Sequence, residues 1–237
     1  MLSIVLPAYN EEKRIPGSLQ KMIQYLNNSD YLYEIIVVDD GSTDHTLEVA
    51  TAAATACKNF KIIQNKTNRG KGYAVKTGVL QSKGEIILFS DTDLSTPIEE
   101  LPKLLKYLQE GYDIAIGSRA LPESEVRLHQ ARGREGMGRI FNFLVQALVI
   151  EGIRDTQCGF KCFKRQAAEA IFQKQRLNGF SFDVEILYLA RKLGYRIAEV
   201  PVVWLNSKET KVSILRDPLY MLMDLLKIRY FDFMGLY

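Results

Sequence analysis

Short apolar runs and amphipathic stretches take turns along the first half of the chain. "LSIVLP" reads as a strand and "GSLQKMIQYLN" as a helix; "YEIIVVDD" is a second strand, and the Ala-rich "TLEVATAAATAC" a second helix opened by Asp44. "FKIIQ" and "GKGYAVKTGVLQS" repeat the pair, as do "EIILFSD" and "PIEELPKLLKYLQE", before a fifth strand, "YDIAIGS". The strands are continuous and rich in Ile and Val, as expected where helices cover both faces of a sheet. This alternation predicts an α/β fold, a Rossmann-like doubly wound and mostly parallel sheet with helices on both faces. Ligands of such sheets bind beyond the carboxyl ends of the strands.

The second half is less regular. Residues 119–138 carry Arg119, Arg127, Arg132 and Arg134, with glycines at 133, 136 and 138, and read as a long mobile loop. Helical periodicity resumes at Ile140. "DTQCGFKCF" reads as a turn into a short strand, "FDVEILYLARKLG" as a helix and "YRIAEVPVVW" as one closing strand. The division expected is a catalytic domain over residues 1–212 and an amphipathic helical tail over 213–237.

The carboxyl ends of the strands gather polar residues. The first ends on Pro7, Ala8, Tyr9, Asn10 and Glu11, the second on Asp39 and Asp40, the fourth on Asp91 and Asp93, and the fifth on Arg119. Asp40 and Asp44 are also plausible as turn or cap residues. Capping does not account for Asp39, Asp91 and Asp93 together. Two carboxylates spaced Asp-x-Asp suit one hard divalent cation, and Mg²⁺ typically takes one or two carboxylates and completes its shell with phosphate and water.

Composition narrows the class. The chain has 237 residues, 47% hydrophobic and 25% charged, enough for a buried core. Its net charge of +3 neither demands nor excludes a nucleic-acid partner, and none is expected. Three cysteines, Cys57, Cys158 and Cys162, make an odd count without a repeated spacing, which argues against a disulfide framework and fits a reducing compartment. With only His45 and His129 beside them, a structural zinc site is not expected. "MLSIVLPAYN" has no basic start and is too short an apolar run for a signal peptide. No run reaches about 18 consecutive apolar residues, so no spanning helix is expected. "IFNFLVQALVI" (140–150) and the tail 218–237 are apolar with aromatics and nearby basic residues, which fits an interfacial helix, plain packing on the sheet or a homodimer contact.

In order and spacing, "VLPAYNEEKRIPGSL", "IIVVDDGSTDHT", "NRGKGYAVKTG" and "DTDLSTP" resemble the family-2 glycosyltransferases of GT-A fold. "GSR", "GIRDTQCGFKCF", "FDVEILYLA" and "PVVWLNSKETKVS" extend the resemblance to nearly the whole chain. They point to the polyprenyl- or dolichyl-phosphate glucosyltransferase subgroup, related to dolichyl-phosphate mannose synthase, with "IRDTQCGFK" the most specific piece.

The resemblance implies a metal-dependent, inverting transfer of a sugar, glucose from UDP-glucose in the closest match, to a polyprenyl or dolichyl monophosphate. Mg²⁺ or Mn²⁺ is the implied cofactor. Pro7, Tyr9, Glu11, Asp39, Lys71, Asp91, Gln157 and Lys211 are implied to bind the nucleotide sugar, and Asp91 and Asp93 the metal. Trp204 joins Lys211 as a cap on the donor. Arg119, Arg132 and Arg134 are the candidates for the acceptor phosphate, since arginine presents a planar fork. Asp155 is implied to orient the acceptor or the sugar, and Asp93, Asp155 and Arg119 form the implied catalytic set. Ser95 stands where the family often has Gln or a small residue, which puts a third protein ligand to the metal in question. The lipid acceptor implies a peripheral position on the cytoplasmic face of a membrane. Relatives of the dolichol type often carry an N-terminal membrane helix, whereas this chain starts at its first strand, an anchor either naturally lacking or trimmed. The alternatives are a GDP-mannose-dependent synthase, a soluble glycosyltransferase with a glycan or protein acceptor, and a non-catalytic nucleotide-sugar binding module. A nucleotidyltransferase fits less well, because "PAYNEEKR" is acidic where that chemistry needs a glycine-rich loop with a lysine.

Overall fold

The computed structural model describes residues 1–127, 132–205 and 217–237, with the side chains of 132–137, 139–140 and 217–219 also outside the description. The described residues form nine strands and eight α-helices: β1 Leu2–Ala8, α1 Ile15–Asn27, β2 Tyr33–Asp39, α2 Thr46–Ala53, β3 Phe60–Gln64, α3 Lys71–Leu80, β4 Ile86–Ser90, α4 Leu101–Gln109, β5 Ile114–Ser118, β6 Glu125–Val126, α5 Arg132–Leu148, β7 Phe160–Lys164, α6 Arg165–Lys174, α7 Phe182–Lys192, β8 Ile197–Pro201, β9 Val203–Trp204 and α8 Asp217–Phe233.

Seven strands form one sheet in the order β3-β2-β1-β4-β7-β5-β8. Every pairing is parallel except those of β7, which runs antiparallel between β4 and β5. The expected mostly parallel sheet is present. Side chains alternate between its faces. Ile4, Leu6, Ile35, Val37, Leu88 and Ala115 meet α1, α2 and α4, while Val5, Ile36, Val38, Phe89 and Ile116 meet α3, α6 and α7. Both layers are apolar, so the strands read as continuous runs and not as half-polar ones.

β1 lies between β2 and β4, and the chain reverses its winding there. The register sets Ala8 beside Asp39, so Asp39 emerges at the same edge as Pro7 and Tyr9.

Three expectations about elements need correction. The segment read as a loop from 119 to 138 contains β6 and, from Arg132, the first turns of α5. Its glycines hid the helix, because intrinsic preference is a weak guide once a helix packs: α5 rests on α8 and buries Val145. "YRIAEVPVVW" is two strands, β8 in the main sheet and β9 paired with β6 in a small second sheet. Helix α6, not foreseen, buries Ala167, Ala168, Ile171 and Phe172. Asp44 does open α2 in the sense expected, through hydrogen bonds its carboxylate accepts from Thr46, although His45 occupies the cap position.

The boundary expected at 212–213 lies outside the described residues. Beyond it, α8 buries Leu225 and Ile228 in the same core as β1, β2, β4 and β5. Its end is tied down: Arg176 donates to the Leu236 carbonyl, and the Tyr237 hydroxyl donates to Glu185 of α7 at 2.6 Å.

Candidate active site

Each acid at the sheet edge has a distinct setting. Asp39 closes β2 and is 1% exposed. Its Oδ1 accepts from the Ser42 amide at 3.1 Å, while its buried Oδ2 has no hydrogen-bond partner among the described residues. A buried carboxylate oxygen without a partner is costly. Asp40 turns away and accepts from Asn65 Nδ2 and the amides of Arg69 and Gly70, folding the loop before α3 across the edge. The turn reading of Asp40 therefore holds. Gly70 has φ +103°, and a Cβ there would stand 2.4 Å from the Asn178 carbonyl, so only glycine fits this approach.

That loop delivers Lys71 as the first residue of α3. Its Nζ lies 2.7 Å from Asp91 Oδ1. Burial depresses the ammonium, but Asp91, Asp183 and Asp93 together outweigh it and raise the pKa. Asp91 follows β4, donates its amide to the Gly159 carbonyl at 2.8 Å, and leaves no room for a Cβ at 159, which would stand 2.0 Å from Asp91 Oδ2. Asp93 accepts from the Ser95 amide at 3.0 Å, with Arg14 Nη1 at 3.7 Å from its other oxygen. Burial, then the neighbouring Asp91, pushes the Asp93 carboxyl up. Leu94, next to Asp93, holds a left-handed φ of 48°, a strained conformation for this side chain.

Glu11 is buried and carries Arg14 in a forked pair, Nε at 2.6 Å and Nη2 at 2.5 Å. Pro7 and Tyr9 are half-buried at the end of β1. The Thr92 hydroxyl donates to the Pro7 carbonyl at 2.5 Å and locks the ends of β1 and β4 together.

Across the edge, Arg119 leaves β5. Its amide and Nε donate to Asp155 Oδ2 at 2.9 and 2.7 Å, and its Nη2 donates to Oδ1 at 2.8 Å. Burial pushes the Asp155 carboxyl up, but Arg119 prevails and holds it at about 2. The guanidinium also lies 5.4 Å from the Trp204 ring centroid and interacts electrostatically with Asp91. Glu199 of β8 braces the arrangement from below, accepting from the Asp155 amide and from Ser118 Oγ. Asp155 is thus occupied by Arg119, and the backbone N–H of half-buried Gln157 donates to Asp155 Oδ1. Trp204 packs on Arg119.

Arg132 and Arg134 lie in the first turn of α5, their side chains outside the description, and Lys211 lies outside the described residues altogether. Sequence reasoning passed over two participants, Arg14 and Glu199. Arg14 stands three residues after Glu11, a helical spacing that was a usable signal. Glu199 lies in a stretch read as strand, where only the fold turns it toward Asp155.

The edge therefore has an acidic half around Asp39, Asp91 and Asp93 and a cationic half at Arg119. Among the described residues no group of three His, Cys, Asp or Glu side chains is placed to hold a metal ion. Asp91 and Asp93 nevertheless fit a Mg²⁺- or Mn²⁺-like ion that draws its remaining oxygens from a diphosphate and water. A clamped guanidinium nearby suits a second phosphate.

The chain is 41% identical over 244 residues to a dolichyl-phosphate beta-glucosyltransferase of Mus musculus, covering 96% of this chain and 74% of that one. It is 37% identical to the protein of the same name from Dictyostelium discoideum, covering 100% of this chain and 76% of the relative. Among solved structures, glucosyl-3-phosphoglycerate synthase from Mycobacterium tuberculosis, crystallised with Mn²⁺, UDP and glucosyl-3-phosphoglycerate, matches with a TM-score of 0.73 at 23% identity, covering 97% of this chain and 78% of that one. That likeness shows the fold, GT-A. Residues 3–172 match the family described as glycosyl transferase family 2, and with the relatives above this places the chain in that family, as a glycosyltransferase.

Proposed function

We propose that this enzyme transfers glucose from UDP-glucose to the phosphate of a dolichyl or other polyprenyl phosphate, with inversion to a β-linked product. The observation that carries the reading is the clamp on Arg119. An arginine fixed by three hydrogen bonds to one buried carboxylate, its guanidinium interacting electrostatically with Asp91, is preorganised to receive an acceptor phosphate beside a donor diphosphate. The names of the relatives support glucose and dolichyl phosphate as the substrates.

Asp91 and Asp93 would hold Mg²⁺ or Mn²⁺, which supplies charge neutralisation for the leaving diphosphate when bound. Asp39, with its unpartnered Oδ2, accepts from ribose hydroxyls, while Pro7, Tyr9 and Glu11 flank the base. Lys71 meets the diphosphate from the α3 side, and Gln157 faces the sugar. An acceptor phosphate oxygen attacks the anomeric carbon as the bond to the diphosphate breaks. A phosphate monoester has a second pKa of about 6 and is largely ionised at neutral pH, so the reaction needs no strong general base. Asp155, already engaged by Arg119, acts through that residue. Arg132 and Arg134, at the start of α5, are the further candidates for phosphate ligands in this reading.

The lipid acceptor sets a location at a membrane surface. α8 turns Tyr220, Met223, Leu226, Tyr230 and Phe233 outward, Phe233 being 87% exposed, with Lys227 and Arg229 beside them, and Phe143 of α5 is exposed as well. Such a face suits peripheral binding on the cytoplasmic leaflet. Among the described residues no helix is long and apolar enough to cross a membrane.

The test is a panel of labelled UDP-glucose, UDP-galactose and GDP-mannose against a polyprenyl phosphate, with Mn²⁺ and with EDTA. The expected outcome is lipid-linked glucose, formed from UDP-glucose with Mn²⁺ present. Mannose transfer, or product formed equally well in EDTA, overturns the donor or the metal part of the reading.

A further inference from the structure

A second, fully enclosed ion pair lies behind Lys71 and Asp91, and the reaction above makes no use of it. Lys161 is the second residue of β7, opposite Phe89 of β4 and Ile116 of β5. Its neighbours Phe160 and Cys162 turn to the face of α1 and α4, so strand alternation turns Lys161 to the face of α7. There its Nζ donates to Asp183 Oδ1 at 2.5 Å and to the Cys158 carbonyl at 2.6 Å. Lys161 is 0% exposed and Asp183 2%. Stability alone is a poor reason for such a pair, because two charges lose their hydration and an apolar pair of similar volume commonly does as well.

The surroundings supply another reason. Asp183 follows Phe182, whose ring meets Phe89 edge to face at 5.7 Å. The Lys71 ammonium lies 5.3 Å from the Phe89 centroid and 6.0 Å from that of Phe182, and Lys161 lies 5.7 Å from the same Phe89 ring. The charge of Asp183 acts on Lys71 as well as on Lys161. Around Phe89 the charges therefore alternate: Asp91, Lys71, Asp183, Lys161. At its other contact, Lys161 holds the Cys158 carbonyl, one residue before the Gly159 carbonyl that receives the Asp91 amide.

We propose that Lys161 and Asp183 are positioning residues for the donor site, fixing the Lys71 ammonium and the Cys158–Gly159 backbone so that the Asp91 carboxylate keeps one orientation. The inference rests on the reading of Asp91 and Asp93 as the cation and diphosphate residues. It assigns Lys161 and Asp183 no contact with substrate.

The probe is Mn²⁺ with UDP, titrated against the full chain by calorimetry, with free Mn²⁺ followed by its paramagnetic resonance signal. The double variant Lys161→Met, Asp183→Leu is expected to melt within a few degrees of wild type. Its Kd for Mn²⁺–UDP is expected to weaken by about 10- to 100-fold, the usual effect of removing partners behind a metal ligand. A folded double variant with a Kd within about twofold of wild type overturns the proposal. If the double variant does not fold, Asp183→Asn decides: an unchanged melting point with a Kd about fivefold weaker or more supports positioning, and an unchanged Kd overturns it. Failure of both variants to fold also overturns it, since the pair then acts in folding. Asp93→Asn in parallel separates the two readings. If that variant binds Mn²⁺–UDP normally, the acidic pair is not the cation site, and the underlying reading fails independently of Lys161 and Asp183.

Discussion

Arg119 and Asp155 meet at three points, two through the side chain and one through the Arg119 amide, so neither the guanidinium plane nor the backbone that carries it can turn. Arg119→Lys keeps the charge and loses the fork. The expected result is a fall of about 10²-fold in kcat/KM for the polyprenyl phosphate, with UDP affinity within about threefold of wild type. Steady-state kinetics with each substrate varied in turn, beside a UDP titration, check it. A collapse of UDP affinity instead moves Arg119 to the donor site.

The same clamp makes a prediction about pH. Asp155 titrates at about 2 in the folded chain against an ordinary 3.8, so its ionised form favours the folded state. That contribution is fully present above the unfolded value and disappears as pH falls from about 4 through about 2, and it amounts to roughly 2 kcal/mol. Urea unfolding at pH 6 and at pH 2.5 is expected to show wild type losing more stability than Asp155→Asn, by up to that amount. Equal losses in the two proteins contradict the clamp.

Asp93→Asn is expected to remove glucosyl transfer while the melting temperature stays within a few degrees of wild type. Asp93 is partly exposed and its local bonds are to the Ser95 amide and Arg14, none of them in the apolar core. Activity and melting are measured on the same sample. Retained activity removes Asp93 from the metal site.

Gly159→Ala tests how closely the Asp91 carboxylate is seated. The added Cβ would stand 2.0 to 2.6 Å from the Asp91 carboxyl atoms, so the acid must move. A displacement of this size at a reacting group costs about 10²-fold in rate. The expected variant is folded, has kcat/KM lowered by about that factor, and binds Mn²⁺–UDP more weakly. An unchanged rate means that Asp91 takes no part in the chemistry.

α8 separates packing from membrane contact within a single helix. Leu225→Ala removes a fully buried side chain and is expected to cost about 2–5 kcal/mol by chemical denaturation. Leu226→Glu with Phe233→Glu alters only the outward face and is expected to leave stability within about 0.5 kcal/mol. In flotation with anionic liposomes, wild type and Leu225→Ala are expected to bind, and the doubly charged variant to remain in solution. Equal flotation of all three would place the lipid-facing surface elsewhere.

The class of fold and the acidic half of the site were legible in the order of residues. Strands covered on both faces are continuously apolar, so the local pattern alone announces the first five, and parallel strands put their carboxyl ends on one edge. Asp39, Asp91 and Lys71 follow from that rule together with the motifs that carry the family resemblance. The tertiary structure decided matters that depend on contacts between distant segments. Nothing local in "FKCFK" shows that β7 enters the sheet antiparallel between β4 and β5, or that Lys161 is thereby sealed against Asp183, 22 residues away. The glycines near 133 suggest a loop, yet from Arg132 the chain is helix, as part of α5, which packs on α8. The resemblance implies that Asp155 orients the acceptor or the sugar; that its partner is Arg119, 36 residues earlier, follows only from the fold, where the end of β5 and the turn before β7 converge. Periodicity reports which face of an element is buried. Which charge meets which is set by strand order and register, and these emerge only when the whole sheet is assembled.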